Sequence, residues 1–314
     1  MSDQNSLIEL SQLSENKINQ LFQSCIELKK KFKQHSLPES TLKGIAVLLF
    51  FEPSTRTRFS FEAACARAGV HPLILGGASG TSLEKGETME DTIFNLEAMR
   101  PLFFVIRCPD ALDLKDIQKQ ISVPIINAGW GMKGHPTQAL LDTVTLFERW
   151  GSLRSKKILF VGDIKHSRVV GSHRQLSSIL NYKIGYCAPR ELLPQDIDAK
   201  SVEVFDGLDE GLKWADAVVG LRVQKERHAS QSDDSFISEY RHSFGLNSQR
   251  LEKFKSDGLI LHPGPINYGV ELEKEVLTDS RSVILQLVEN GAFMRETLIR
   301  QILQNQSLVI KGSL

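Results

Sequence analysis

The stretch Ile45-Ala46-Val47-Leu48-Leu49-Phe50-Phe51-Glu52-Pro53-Ser54-Thr55-Arg56-Thr57-Arg58-Phe59 decides the fold. Its first half is an unbroken apolar run, short enough to be a strand buried on both faces, as strands are in parallel sheets covered by helices. Pro53 ends that strand. Beyond it Phe59, Ala63 and Ala66 recur at helical spacing until Gly69 offers a stop. At the join, Ser54, Thr55 and Thr57 bring hydroxyls and backbone N–H groups to a helix N-terminus, and Arg56 and Arg58 add fixed positive charge. Such a turn is built like a cradle for an oxyanion or phosphate. The plainer alternative is that Ser54 or Thr55 caps the helix and the arginines are solvated. Three hydroxyls and two arginines directly after a buried strand favour a small, strongly charged anion.

On the N-terminal side, Ser11 or Ser14 can cap a helix over about Glu15 to Lys33, with Ile18, Leu21, Phe22, Cys25, Ile26 and Leu28 as its apolar stripe. Downstream, strands are expected at His71–Leu75, at Leu102–Ile106 ending in Arg107, and at Ile125–Gly129. A flexible glycine-rich loop, Gly76 to Glu87, carries Ser82 and Lys85 and leads to a helix over about Thr88–Met99. A charged residue such as Arg107 at the carboxyl end of a buried parallel strand stands where open α/β sheets bind ligands. Gly134-His135-Pro136-Thr137-Gln138 opens a helix that runs to Trp150.

The pattern restarts after Gly151-Ser152-Leu153-Arg154. Lys157–Asp163 reads as a strand and glycine turn, followed by Arg168 and a helix. Further strands are expected at Lys183–Cys187, Val202–Phe205, Ala217–Leu221 and Leu259–His262. A last helix, Ser282 to Gln304, is long enough to return to the first half, with Asn290-Gly291 as a possible bend. The expected class is α/β, in two domains, each a parallel β-sheet flanked by helices, with the active site in the interdomain cleft. The expected boundaries are 1–136, joined by the C-terminal helix 290–314, and 137–289.

With 314 residues, 41% hydrophobic and 24% charged, the composition is that of a globular protein large enough for two cores. Formal net charge is zero and the sequence pI is about 7.1, so no global field points to nucleic acid or to a membrane surface. Any anion site has to be made from locally gathered arginines. The four cysteines, Cys25, Cys65, Cys108 and Cys187, show no Cys-x-x-Cys spacing; neither structural zinc nor a disulfide framework is expected, and a reducing cytoplasm fits. The polar start Met1-Ser2-Asp3-Gln4-Asn5 gives no sign of secretion.

Five segments together resemble the catalytic chains of aspartate carbamoyltransferases: Ser54-Thr55-Arg56-Thr57-Arg58, Lys85-Gly86-Glu87-Thr88, His135-Pro136-Thr137-Gln138, Val161-Gly162-Asp163-Ile164-Lys165 and Arg222-Val223-Gln224-Lys225-Glu226-Arg227. The resemblance spans about residues 5 to 305. It implies transfer of the carbamoyl group of carbamoyl phosphate to the amino group of L-aspartate, an early committed step of pyrimidine biosynthesis, with no cofactor and no metal. Catalysis would then come from placement and electrostatic stabilisation of a tetrahedral intermediate.

By the resemblance, Ser54, Thr55, Arg56, Thr57 and Arg107 hold the phosphate, while Thr57, Arg107 and His135 face the carbonyl oxygen. Gln138 and the backbone carbonyls of Pro263 and Gly264 grip the carbamoyl NH₂. Arg168, Arg222 and Gln224 bind aspartate, because guanidinium forks match carboxylates in a way lysine cannot. Glu52 meets Arg168 and Arg227 as the domains close, and Ser82 and Lys85 enter the site of an adjacent subunit in a homotrimer. Regulatory chains or a dihydroorotase-like protein could join that trimer.

The residues alone leave plainer roles open. His135 before a proline can be a cap, Lys85 a mobile surface lysine, and the segment from Arg222 an exposed loop of mixed charge. Arg56 and Arg107 near His135 favour a neutral imidazole that donates to the carbonyl oxygen. Three positions depart from the family pattern: Cys108, Gly171-Ser172-His173 and Tyr268. The alternatives weighed are an ornithine carbamoyltransferase and an inactive anion-binding homologue. Arg222-Val223-Gln224 and His262-Pro263-Gly264-Pro265 favour an anionic acceptor over the cationic one.

Overall fold

Helix α1 (Glu15–Lys33) is fixed at its start by Ser14, whose hydroxyl accepts from the Lys17 N–H at 3.3 Å. Ser14 is thus the cap, and Ser11 is not. The apolar run becomes β1 (Gly44–Phe50), with its last five residues buried; each such Val, Leu or Phe stabilises the fold by about 1.5–3 kcal/mol. The computed structural model describes residues 5–36, 43–223 and 234–312. Contacts divide the chain into two units, Met1–Val144 with Val288–Leu314, and Thr145–Leu287.

In the first unit β1 is followed by α2 (Thr55–Arg67), β2 (Val70–Gly76), α3 (Met89–Glu97), β3 (Phe104–Cys108), α4 (Leu114–Gln120), β4 (Ile125–Trp130) and the first part of α5 (Pro136–Trp150). The sheet order is β2-β1-β3-β4, and every pairing is parallel. The chain therefore reverses direction across the sheet between β1 and β3, where Phe50 pairs with Arg107. Val47, Leu49, Phe104, Ile106, Ile125 and Trp130 share one core with Leu114 and Ile117 of α4.

The second unit holds β5 (Lys157–Val161), α6 (Arg168–Leu180), β6 (Lys183–Cys187), β7 (Val202–Phe205), α7 (Leu208–Trp214), β8 (Ala217–Gly220), α8 (Asp234–Phe244), α9 (Ser248–Leu251) and β9 (Leu259–Leu261). Its order, β7-β6-β5-β8-β9, is again all parallel, and the reversal falls between β5 and β8. Helix α10 (Ile284–Gly312) closes the described chain.

Several expectations change. The strand expected at Leu102–Ile106 slides to Phe104–Cys108, so Arg107 lies inside β3 and not just beyond it. The loop taken as flexible contains an ordered 3₁₀ turn, Ser82–Lys85: Thr81 caps it by accepting from the Leu83 N–H, and Gly86 ends it at φ 95°. No bend is needed at Asn290-Gly291, because α10 continues through both residues. A Cβ on Gly291 would lie 3.0 Å from Leu141 Cδ2 and 2.9 Å from Arg295 Nη1, so that glycine permits α10 to lie close on α5. The division between the units falls within α5, between Val144 and Thr145, and not at its first turn.

Candidate active site

In the first unit, the carboxyl ends of the strands carry the candidate groups, and two of them flank the reversal point where doubly wound sheets bind ligands. After β1, Ser54 is the N-cap of α2 with extended backbone, but its hydroxyl makes no capping bond. The first-turn N–H groups of α2 are therefore not taken up by Ser54, and Thr57, in the first turn, is buried. The cap reading of Ser54 fails; the cradle reading keeps its donors. From the neighbouring strand Arg107 projects with its Nε 3.6 Å from a carboxylate oxygen of Glu52. Arg227, one of the two residues expected to meet Glu52 on closure, lies outside the described residues.

The turn from β4 to α5 places His135. The Asp110 carboxylate accepts the Met132 N–H at 2.9 and 3.1 Å, and a Cβ on Gly131, which has φ 40°, would collide with it. Backbone bonds between Trp130 and Gly134 close the turn. The carbonyl of His135 then accepts from the N–H groups of Gln138 and Ala139, and Pro136 fills the first helical position, where a missing N–H costs nothing. His135 is 5% exposed. Its carbonyl thereby starts the helix.

One turn on, Gln138 Nε2 donates to Asp142 Oδ1 at 2.9 Å. Asp142 is buried, as is Arg295 of α10. Burial pulls Arg295 down to about 10, while the Asp142 charge opposes that shift. Arg295 Nη1 donates to Ser60 Oγ of α2 at 2.8 Å, and its guanidinium lies 5.2 Å from the Phe61 ring centroid. Ser82 and Lys85 are both exposed on their turn, and among the described residues Lys85 makes no ion pair.

The second unit repeats the arrangement. Val161 at the end of β5 pairs with Gly220 at the end of β8, and Leu221 N–H donates to the Val161 carbonyl at 2.7 Å. Gly162, at φ 124°, packs so tightly on Leu221 that a Cβ there would sit 2.3 Å from its carbonyl oxygen. Asp163 is buried and accepts both the N–H and the Nδ1 of His166, and Ser167 caps α6, accepting from the Val170 N–H. Arg168 is therefore the first residue of α6, and Arg222 follows the neighbouring strand two residues beyond Gly220. Gln224 lies outside the described residues.

Pro263 and Gly264 follow β9. The Gly264 N–H donates to His262 Nδ1 at 2.8 Å, which leaves the ring proton on Nε2, 3.5 Å from Glu271 Oε1. The same oxygen accepts the Asn267 N–H, and the Asn267 side chain donates to the Val223 carbonyl at 3.1 Å. The loop with Pro263 and Gly264 is thereby tied to the residue after Arg222.

The three departures have separate fates. Cys108 is fully buried in the first core, and His173 is buried with its Nδ1 2.9 Å from the Tyr182 hydroxyl, which donates to the His173 carbonyl. Both are packing residues. Tyr268 is exposed, with Lys274 over its ring. Sequence reasoning missed Asp110, Asp142, Glu271 and Arg295. Asp142 left a signal: a lone acid in Ala139-Leu140-Leu141-Asp142-Thr143-Val144, four residues after Gln138.

Two sequence profiles match the chain. "Aspartate/ornithine carbamoyltransferase, carbamoyl-P binding domain" covers residues 5–148, and "Aspartate/ornithine carbamoyltransferase, Asp/Orn binding domain" covers residues 154–302. The chain therefore belongs to the aspartate/ornithine carbamoyltransferase family. Among curated relatives it is 38% identical to an aspartate carbamoyltransferase catalytic subunit of Aquifex aeolicus, covering 94% of this chain and 98% of that one. It is 44% identical to the corresponding subunit of Maricaulis maris, covering 83% and 82%. Among solved structures, aspartate transcarbamoylase from Trypanosoma cruzi in complex with N-(phosphonacetyl)-L-aspartic acid superposes with a TM-score of 0.84 at 31% identity, over 94% of this chain and 95% of that chain.

Proposed function

We propose that the chain transfers the carbamoyl group of carbamoyl phosphate to the amino group of L-aspartate, giving N-carbamoyl-L-aspartate and phosphate. The observation that carries the acceptor's identity is the pair of arginines at the reversal point of the second sheet, Arg168 after β5 and Arg222 after β8. Two guanidiniums suit a dicarboxylate and repel a cationic side chain such as that of ornithine. The relatives named above, and a Trypanosoma cruzi aspartate transcarbamoylase solved with carbamoyl phosphate and aspartate at 31% identity and a TM-score of 0.83, support the same choice.

In this reading Ser54, Thr55, Arg56, Thr57 and Arg107 hold the phosphate, as the uncapped start of α2 supports. The aspartate amine attacks the carbonyl carbon and the C–O bond to phosphate breaks, with the amine proton leaving on phosphate. Thr57, Arg107 and neutral His135 donate to the oxyanion, and Gln138 accepts from the carbamoyl NH₂ with the carbonyls of Pro263 and Gly264. Gln224 is assigned to aspartate, and Glu52, Arg168 and Arg227 to closure, on the family resemblance. Ser82 and Lys85 serve an adjacent subunit of a cytoplasmic homotrimer; their exposure on an ordered turn supports that role. The product would enter pyrimidine synthesis.

Purified protein given carbamoyl phosphate and either L-aspartate or L-ornithine tests the assignment. Carbamoyl-aspartate formation is expected; ornithine turnover without aspartate turnover, or no turnover with either, refutes it.

A further inference from the structure

The chemistry of a buried amide and a buried acid on α5 goes beyond the residues assigned above. A carboxylate can only accept, so the end of Gln138 that meets Asp142 Oδ1 at 2.9 Å has to be its NH₂. The Gln138 carbonyl oxygen is then the end left over for a ligand. An acceptor there is what a carbamoyl NH₂ needs, and an inverted amide would present a donor to a donor. Asp142 is 0% exposed, and its Oδ1 meets Gln138 Nε2 away from bulk water, with the guanidinium of Arg295 within electrostatic range. Arg295 is held in turn by Ser60 of α2, the helix whose first turn is the phosphate cradle.

We propose that Asp142 is a positioning residue: through Gln138 it selects the carbamoyl group of the donor substrate. This rests on the carbamoyl-phosphate reading of the site. The role concerns the NH₂ of the substrate and not its phosphate, which makes it separable from a merely structural part. An asparagine at 142 can donate to Gln138, let the amide invert, and turn its NH₂ toward the substrate.

The experiment titrates the full-length protein with carbamoyl phosphate and, separately, with inorganic phosphate, which lacks the NH₂. Wild type is measured first; failure to bind carbamoyl phosphate more tightly than phosphate refutes the functional reading itself, before Asp142 is at issue. Asp142→Asn should weaken carbamoyl phosphate binding roughly tenfold to a hundredfold, the effect of mispairing one buried polar group, and leave phosphate within about threefold. Equal weakening of both ligands, or of neither, overturns the proposal.

The paired exchange Gln138→Glu with Asp142→Asn keeps the net charge beside Arg295 and again leaves an acceptor oxygen for the substrate. It should regain most of the preference for carbamoyl phosphate over phosphate. If Asp142→Asn fails to fold, this exchanged pair decides alone: wild-type preference supports the positioning role and its loss contradicts it.

Discussion

At the residue scale, Gln138 and Thr57 illustrate how side-chain type and side-chain state part company. The sequence shows which residues can donate or accept, and Ser54 to Arg58, Arg107, His135 and Gln138 stand out by type alone. It does not show that the Ser54 hydroxyl leaves the helix start uncapped, nor that Glu52 lies 3.6 Å from Arg107. Those facts depend on backbone geometry and on strands brought together by the sheet. His135 starts α5 with its carbonyl, so its imidazole is dispensable for the helix. His135→Ala should therefore lower kcat by about 10²–10³, the loss expected for one oxyanion donor. Inorganic phosphate binding should change by less than about threefold. Steady-state kinetics and phosphate titration check this, and a matching loss in phosphate binding would move His135 into the cradle.

At the element scale, the strands and the long helices were legible and the short helices were not. The buried runs of β1, β5 and β8 have no other plausible conformation, and α1 carries a full apolar stripe with a serine cap. Helices α4 and α7 are seven residues each and α9 is four, too short for periodicity to rise above the surrounding loops. Their caps, Asp113 for α4 and Asn247 for α9, were the available signal.

The polar seam under α10 was equally hidden, because Arg67 lies more than two hundred residues from Glu296 and Arg300. Glu296, fully buried, accepts Arg67 Nε at 2.6 Å and Arg300 Nε at 2.8 Å, and Arg300 also donates to the Arg67 carbonyl at the end of α2. Glu296→Ala leaves two guanidiniums without their carboxylate and should cost about 3–5 kcal/mol of stability. Urea unfolding of the variant measures it; a change under about 1 kcal/mol would mean that the pair behaves like a surface ion pair.

At the scale of the whole molecule, the same plan occurs twice. Each unit is a parallel sheet whose strand order reverses once, and each reversal is flanked by arginines, Arg56 and Arg107 in one, Arg168 and Arg222 in the other. The restart of the strand pattern near Gly151 made this duplication legible. The place within α5 where contacts divide the chain was not, because a helix sequence carries no mark of a boundary.

Among the described residues the four cysteines form no disulfide and are buried. Burial pushes Cys65 and Cys187 from the ordinary 9.0 up to about 12. The folded values are raised, so this contribution to stability is full below pH 9. It falls between pH 9 and 12, as the unfolded chain ionises and the native one does not. The slope is about 1.4 kcal/mol per thiol per pH unit. Urea titrations at pH 8 and pH 10 should show the drop, and native protein at pH 8 should resist thiol reagents; rapid labelling there contradicts the burial. For the proposed trimer, mixing Lys85→Ala chains with Arg56→Ala chains should restore part of the activity in hybrids. Hybrids verified by mass that stay inactive would show that sites are not shared.

The central claim is that one sheet binds phosphate and the other a dicarboxylate, for a single reaction. Calorimetric titration with a mimic that joins a phosphonate to two carboxylates tests it most directly. Wild type should bind the mimic at least about 10² times more tightly than inorganic phosphate. Arg107→Met and Arg222→Met should each weaken it by roughly tenfold or more, the loss of one charged hydrogen-bonding partner. Binding of the mimic that is unchanged in Arg222→Met would contradict the claim.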